Sequence, residues 1–452
     1  MAFTKGDNVM QQLPVNRSGW ATGGKSMRHS VVRRSLYVSL FYVAGHAFYY
    51  LLILVANSRL EPVDFGRFYL GWAILNIIAA PGAVLTLALS GYFAEVHRLH
   101  GPEKVVSGLR AALTTLFPWL LAIMAAVELI LFFTGLALGS DAVIMIALLP
   151  LTALSSVLVD TVRAVFQGAL QFVWFGASWL LWCASQFVFG AVFLLLTGAP
   201  WAVFLGMLAA NCLALGCVLV AVWRLGADDA RRSGGPAAKS EFAAQSLRYI
   251  LPFCTALGAL VFLNYVDVFV AYLKLSGAEL GTYAASAVLP KAIVTATQPV
   301  TQVILPLATH IRGQNLKTRE VLLKAIGMTF ALAALGASAL WLVSGEVCGN
   351  RYGIKFCNPS IMLLLASAAV AVAVTRTAII ADLLGGRYWR PHLPIAALVL
   401  LAAAIWFGRL SGTELAMRYA IVGWLLLCTM VALKFLDWHR AGDGPFLKRT
   451  VK

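Results

Sequence analysis

The sequence predicts an all-α polytopic membrane protein of about twelve transmembrane helices in two six-helix lobes. Three observations predict it. The chain is 61% hydrophobic and only 12% charged, with a mean hydropathy of +0.83, against about 25% charged residues in an average soluble domain. Twelve apolar segments are long enough to cross a hydrocarbon core of about 30 Å, which needs roughly 20 helical residues. The third observation is a short internal repeat that falls near the midpoint of the chain.

The twelve segments lie near 35–56, 68–91, 112–136, 142–162, 174–197, 202–223, 250–273, 282–305, 321–344, 359–380, 392–409 and 415–436. They divide the chain into an N-terminal segment 1–34, a first lobe 35–223, a linker 224–249, a second lobe 250–436 and a tail 437–452. The first 34 residues carry Lys5, Arg17, Lys25, Arg28, Arg33 and Arg34 without an apolar run, so they lack the pattern of a secretory signal peptide. Most of the 35 Lys and Arg residues fall on the side of the two termini. That asymmetry predicts both termini in the cytoplasm, by the positive-inside rule. The net charge of +16 is therefore read as a topology signal. Scattered over loops with no nucleic-acid-binding motif beside it, it points to no nucleic-acid partner.

Segment one carries a polar and aromatic stripe, Ser39, Tyr42, His46 and Tyr49, at helical spacing. Two readings stand for His46: a buried, hydrogen-bonded packing residue, or a substrate contact and proton carrier, since an imidazole titrates near neutrality. The connection and second segment read NSRLEPVDFGRFYLGWAILN. A shift of 215 residues superposes Leu60, Asp64, Gly66 and Phe68 on Leu275, Glu279, Gly281 and Tyr283, and Asn76 on Lys291. An offset of six helices preserves orientation, so the lobes are expected to be parallel repeats about an axis along the membrane normal. Segment three contains Glu128, a functional candidate as an ion or proton site, with a protonated, hydrogen-bonded carboxyl as the alternative. Segment four ends in LVDTVRAVFQGALQF, where Asp160 and Arg163 are spaced to pair on one helix face. Segments five and six look like scaffold. The linker contains Gly-Gly-Pro and reads as flexible.

Segments seven and eight hold the most informative stretch, 264–302. A charge at the bilayer centre costs about 2.5–3.5 kcal/mol on insertion scales, so Asp267 and Lys291 are expected to face a cavity rather than lipid. Lys291, Thr295, Gln298 and Gln302 follow one another at helical spacing and share a face, and Asn264, Asp267 and Lys274 repeat the pattern on the preceding helix. Pro290 and Pro299 remove backbone hydrogen bonds, which membrane helices tolerate where protein or water satisfies the freed groups. Segment ten leads into TRTAIIADLLGGRYWRPH, which places Arg376, Asp382, Arg387 and Arg390 at the inner surface. Cys183, Cys212, Cys217, Cys254 and Cys428 lie in predicted spans. Cys348 and Cys357 share the fifth outer loop, on the oxidising side, and are spaced for a disulfide closing a short loop.

There is no Walker-type Gly-Lys-Ser/Thr loop and no His/Cys/Glu cluster at metal-ligand spacing. The acids are dispersed over separate helices, so no enzyme site, metal or cofactor is expected. A coupling H+ or Na+ is left open.

LEPVDFGRFY, RAVFQGALQF, NYVDVFVAYLKLSGAELGTYAASAVL and ILPLATHI, in this order across most of the chain, resemble the polysaccharide and lipid-linked oligosaccharide flippases of the multidrug/oligosaccharidyl-lipid/polysaccharide (MOP) exporter superfamily. The resemblance implies two six-helix lobes in a V around a central cavity that opens alternately to each side, lined by segments one, two, seven and eight. It implies as substrate a glycan repeat unit on a polyprenyl (di)phosphate, moved from the cytoplasmic to the periplasmic leaflet of a bacterial inner membrane for exopolysaccharide or O-antigen assembly. Glycan hydroxyls stripped of hydrogen bonds in hydrocarbon cost several kcal/mol each, hence a polar path. Substrate contacts are then expected from Lys291 as phosphate cation, with Asp267, Asn264, Thr295, Gln298, Gln302, His46, Tyr49 and Asn76. Asp267 would hold Lys291 or bind a coupling cation. Arg163 and Arg376 would stand at the inner mouth, with Asp160 and Glu128 as further ion candidates, and Arg59 and Arg67 at the outer. The sequence departs from many such transporters in placing a single basic residue inside the cavity. Expected partners are the lipid-linked glycan, membrane lipid and glycan polymerase or export machinery. Two alternatives stand beside this reading: a cation-coupled multidrug exporter of the same superfamily, and a non-transporting membrane component of a glycan synthesis complex.

Overall fold

The structure is a computed structural model, and it describes residues 24–100, 102–133, 142–169, 171–226, 237–301, 315–349, 355–384, 392–406 and 410–440. Among the described residues there are twelve helices and no strands. They are α1 (Gly24–Arg59), α2 (Pro62–His100), α3 (Pro102–Phe133), α4 (Ala142–Gly168), α5 (Phe172–Thr197), α6 (Pro200–Gly226), α7 (Ala237–Lys274), α8 (Gly277–Ala296), α9 (Asn315–Cys348), α10 (Pro359–Leu384), α11 (Leu393–Trp406) and α12 (Gly412–Arg440). Each expected apolar segment holds one helix. Ten of the helices are long and apolar enough to cross a membrane. The other two are α11, only 14 residues long, and α8, whose Glu279, Lys291, Thr and Ser residues dilute its hydropathy. Helices α1 and α7 begin earlier than the apolar pattern does, at Gly24 and Ala237. The stretch AAKSEFAAQSLR, expected to belong to a flexible linker, consists largely of good helix formers and continues directly into the membrane span.

Connections are short where the local chemistry allows it. Gly198 closes α5 at φ +70° and its N–H donates to the Leu194 carbonyl, and Pro200 then opens α6, an arrangement that needs a residue tolerant of the left-handed region followed by one without an N–H to satisfy. Helix α8 stops at Ala296 and not at 305 as the sequence pattern suggests. Pro299 cannot donate to the carbonyl four residues back, so the chain bends at Thr297 and resumes as a helical turn over 298–301.

In the first half α2 packs on α4 and α3, α1 on α5, and α6 on both α4 and α5. In the second half α10 packs on α8, α9 and α12. The halves meet where α2 crosses α7 and α8, and where α1 reaches α8. Burial identifies the centre: 72% of the most apolar window of α2 and 78% of that of α10 are enclosed, against 17% in α3 and 11% in α9. The latter two present bare Leu, Phe and Trp faces, as lipid-contacting helices do.

The side carrying the α1–α2 and α7–α8 turns, outer in the orientation predicted from charge, is closed by a seam between the halves. A Cβ on Gly281 would lie 2.3 Å from the Pro62 carbonyl oxygen, and one on Gly66 would lie 2.9 Å from Leu280 Cγ. These two glycines are the repeat-related pair, so the seam runs along the pseudo-twofold axis. Leu60 and Leu275, also repeat-related, are both buried in the central apolar cluster. A second contact lies beside it. Cys348 and Cys357 form a disulfide, and the adjoining Lys355 donates its N–H to Asn57 Oδ1 (2.6 Å), accepts from Asn57 Nδ2 (3.4 Å) and places its ammonium on the Ser58 carbonyl (2.8 Å). Phe356 between them has φ +64°, a conformation costly for a bulky residue. Reduction of the disulfide is expected to release Phe356 and with it the hold on Asn57. Hydrogen exchange should then rise about fivefold or more in residues 55–66, and an Asn57→Ala variant should show the same rise while oxidised.

Candidate functional site between the halves

The site is built on two polar contacts at repeat-related positions. In the second half, Lys291 of α8 donates to Asp267 Oδ1 of α7 at 2.8 Å and to the Asn264 carbonyl, while Tyr283 donates to Asp267 Oδ2 at 3.2 Å. Asp267 is fully enclosed and Lys291 is 5% exposed. The ammonium also faces the rings of Tyr265 at 5.1 Å and Tyr419 at 5.7 Å. A buried ion pair compensates the loss of water only when its remaining hydrogen-bonding capacity is used. Here a carbonyl, a phenol and two aromatic faces use it. The sequence pattern that put both charges on facing stripes thus leads to a direct ion pair.

In the first half, the same two helix positions hold a neutral contact. Tyr49 of α1 donates to Asn76 Oδ1 of α2 at 3.1 Å, and Asn76 donates on to the Trp72 carbonyl at 2.8 Å. The 215-residue shift relates Asn76 to Lys291, Tyr49 to Asn264 and Tyr50 to Tyr265. One half therefore carries an ion pair where the other carries a phenol and an amide. The two halves are joined between these contacts by Tyr50 and Thr295, whose hydroxyls lie 2.9 Å apart. Gln298 is half-buried beyond the α8 bend, with its carbonyl accepting from Thr301 at 2.8 Å. Gln302 lies outside the described residues.

Arg163 does not stand at an inner opening. It is wholly buried in the first half, bonded to Asp160 Oδ1 at 3.0 Å, Ser178 Oγ at 3.0 Å and the Phe175 carbonyl at 3.2 Å. The rings of Phe175, Trp179 and Trp182 surround its guanidinium at 4.7 to 5.7 Å. Every face of the cation is occupied; its pair with Asp160 lies within α4, and its bonds to Ser178 and the Phe175 carbonyl tie α4 to α5. Glu128 also departs from a cavity position: it is exposed on α3, among Leu129, Ile130 and Phe132 on that helix's outward face. It sits little more than a turn from the end of α3, close enough for a flexible carboxyl to reach the interface. At the outer end Arg67 pairs with Asp64 on its own helix at 3.2 Å, and Arg59 is exposed at the end of α1. Asp382, expected at the inner surface, is 2% exposed and bonded to Lys434 of α12 at 2.7 Å.

His46 packs against Tyr42, Tyr49 and Trp179, with ring centroids 6.0, 6.3 and 5.2 Å away, and neither of its nitrogens has a hydrogen-bond partner. The ring is packed among aromatic side chains, without the hydrogen bond that the packing reading expected. Arg376, expected at the inner mouth, is half-buried in a stretch of α10 that is otherwise enclosed. Sequence reasoning passed over Tyr50, Tyr265, Tyr283, Tyr419 and Trp179. The identity of Tyr50 and Tyr265 across the 215-residue shift was the available signal for two of them.

No protein-family model and no curated protein matches the sequence. Solved structures do. A MOP superfamily transporter from Pyrococcus furiosus, for which a reversed polarity of the binding pocket has been taken to suggest a different function, superposes with a TM-score of 0.65 over 89% of this chain and 95% of its own, at 15% identity. An outward-facing multidrug resistance MATE family transporter of the same superfamily gives 0.64 over 90% and 96% at 13% identity. A eukaryotic MATE transporter gives 0.60 over 90% and 96% at 12% identity. The chain shares the fold of these transporters over about nine tenths of its length.

Proposed function

We propose that this protein is an alternating-access transporter that carries a polyprenyl-phosphate-linked glycan from the cytoplasmic to the periplasmic leaflet of a bacterial inner membrane. The fold supports transport. The observation that carries the choice of cargo is the state of the interior carboxylates. Asp160, Asp267 and Asp382 are each held by a cation of their own half, at 3.0, 2.8 and 2.7 Å. None stands free to receive a cationic drug, while an anion can compete with Asp267 for Lys291. In this mechanism the cargo's phosphate draws Lys291 off Asp267 as the inner side opens. Tyr49, Asn76, Asn264 and Thr295 offer the donors and acceptors that replace water around the sugar. Opening the Gly66–Gly281 seam then releases the glycan outward.

The test is a comparison, in cells lacking the protein, of lipid-linked sugar on the two leaflets by access of an impermeant sugar-modifying enzyme. Accumulation on the inner leaflet is expected, relieved by the wild type and at most a tenth as well by Lys291→Ala at equal protein level. Full relief by that variant would remove Lys291 from the mechanism. The MATE neighbours favour a second reading, a cation-coupled multidrug exporter, in which Asp267 exchanges Lys291 for the coupling ion. No glycan accumulation, together with hypersensitivity to cationic dyes, would select it.

A further inference from the structure

We infer that a lipid-facing groove between α10 and α12 holds the isoprenoid tail of the cargo. This rests on the lipid-linked cargo proposed above and assigns a place to its hydrocarbon part while the sugar is between the halves. The groove emerges from comparing the halves across the 215-residue shift, which sets Ala202, Gly206 and Ala210 of α6 on Met417, Ile421 and Leu425 of α12. In the first half this face is covered by α5. Ala202 and Ala210 are fully buried, and a Cβ on Gly206 would lie 2.5 Å from the Phe189 carbonyl oxygen. In the second half the related face is bare, with Met417, Ile421 and Leu425 exposed by 47%, 52% and 56%. Where α6 has a glycine that lets the backbones touch, α12 has Ile421. The carbonyl of Ala404, the counterpart of Phe189, is reached instead by the Arg418 guanidinium, so a long side chain spans what close backbone contact fills in the first half.

What remains is a wholly apolar cavity of about 330 Å3, lined by Leu364 of α10 and by one face of α12 from Met417 to Cys428. The Trp424 indole N–H donates to Ser367 Oγ of α10 at 2.8 Å, which satisfies the indole and fixes its ring as part of the wall. Met417 to Cys428 spans about 16 Å at 1.5 Å per helical residue, which makes the mean cross-section about 20 Å2. Carbon atoms pack about 4 Å apart, so this section admits a single hydrocarbon chain. A helix, about 10–12 Å across, does not fit. Which chain enters follows from where the groove ends. Gly412, the first residue of α12, donates its N–H to Glu279 of α8 at 3.3 Å, and a Cβ on it would lie 3.0 Å from Ile361 of α10, 3.6 Å from Tyr283 and 3.7 Å from Leu275. Leu364 and Met417 lie only about one turn beyond Ile361 and Gly412, so the groove begins beside the outer seam. A glycan released through the Gly66–Gly281 seam leaves its tail at this mouth. Within a bilayer no hydrophobic force favours one apolar chain over another. Tethering does, because a head group held between the halves keeps its own tail at high effective concentration, and bulk phospholipid has no such tether.

The test uses full-length protein in phosphatidylcholine vesicles, photolabelled with geranylgeranyl diphosphate that carries a benzophenone at the end of its tail and mapped by mass spectrometry. Adducts are expected on the peptides holding Leu364 and Met417, at least tenfold above those from a phosphatidylcholine with the same group on an acyl chain. Ile421→Trp, which fills the groove from a half-exposed position, should lower labelling at least fivefold and glycan export at least threefold. Ile421→Ala, which leaves the groove open, and Val431→Trp, at an exposed position of the same helix outside the groove, should label as the wild type does. Unchanged labelling in Ile421→Trp would overturn the site. Equal labelling by the two probes would overturn its assignment to cargo and make it a place for surrounding phospholipid. Copies cross-linked through Cys428 on oxidation would overturn it too, since the groove would then lie between two chains. Leaflet accumulation keeps the two proposals apart: accumulation in cells lacking the protein, without labelling of the groove, removes the groove and leaves the transporter reading standing, while labelling without accumulation leaves an isoprenoid site and removes its role in glycan transport.

Discussion

Asp267→Asn is expected to destabilise the folded protein by about 3–5 kcal/mol, the cost typical of removing one partner from a buried ion pair. The ammonium of Lys291 would keep the Asn264 carbonyl and the faces of Tyr265 and Tyr419 but lose the only carboxylate in its contact set. Lys291→Met alone leaves Asp267 with one hydrogen bond, from Tyr283, and should cost a similar amount. The double variant Asp267→Leu/Lys291→Met removes both charges and should recover most of the loss, because well-packed apolar side chains commonly replace a buried pair without penalty. Urea or thermal unfolding in detergent of Asp267→Leu, Lys291→Met and the double variant, run as a double-mutant cycle, measures the coupling. Near-additive losses would mean that the pair contributes nothing beyond its separate packing. The double variant should fold and fail to transport, which separates the structural from the functional role of the pair.

Gly281→Ala is expected to prevent closure of the outer seam while leaving each half folded. The added Cβ would meet the backbone of Pro62, with the carbonyl oxygen at 2.3 Å and the carbonyl carbon at 2.7 Å, and no rotamer change can relieve a clash with backbone. Its repeat partner makes the natural control. At Gly66 the first atoms met belong to the Leu280 side chain, at 2.9 and 3.1 Å, which can turn aside. Gly281→Ala should therefore lower export at least tenfold, an energy difference of about 1.4 kcal/mol or more between closed and open states. It should also raise hydrogen exchange in residues 60–66, with Gly66→Ala several-fold milder in both. Equal effects at the two positions would mean that the seam is not where the halves close. Gly206 provides the contrast: a Cβ there would lie 2.5 Å from the Phe189 carbonyl oxygen inside the first half, so the same substitution should lower stability instead of shifting the two states.

The parts of the site that were legible in the sequence are those written as periodicity. Asp267 and Lys291 could be placed on facing stripes because both stripes repeat at helical spacing, and a charge at that depth must have a partner. Gly66 and Gly281 were legible as repeat-related positions, though not as a place where the halves meet. Asp160 and Arg163 were legible as an i, i+3 pair. In each case the information is carried within one helix or by one repeat comparison.

What the sequence left open depends on which way each helix is turned. Glu128 and Asp267 are both single acids in apolar segments, and nothing local distinguishes the one that points outward from α3 from the one enclosed between α7 and α8. Arg163 and Arg376 occupy similar places in the fourth helix of each half, yet α5 supplies aromatic walls and Ser178 to the first, while the second has no ion-pair partner among the described residues. The α8 break at Thr297 took Gln298 off the stripe because Pro299 ended the helical register.

The chain by itself determined the number of helices, their approximate limits, the charge asymmetry from which an orientation is predicted and the repeat that relates the halves. A bilayer makes these local properties: every span must be apolar over about 20 residues and satisfy its own backbone hydrogen bonds. Tertiary structure alone decided which polar residues meet, which are saturated and which stand open, since the rotation of a helix about its axis is fixed only by the neighbours it packs against.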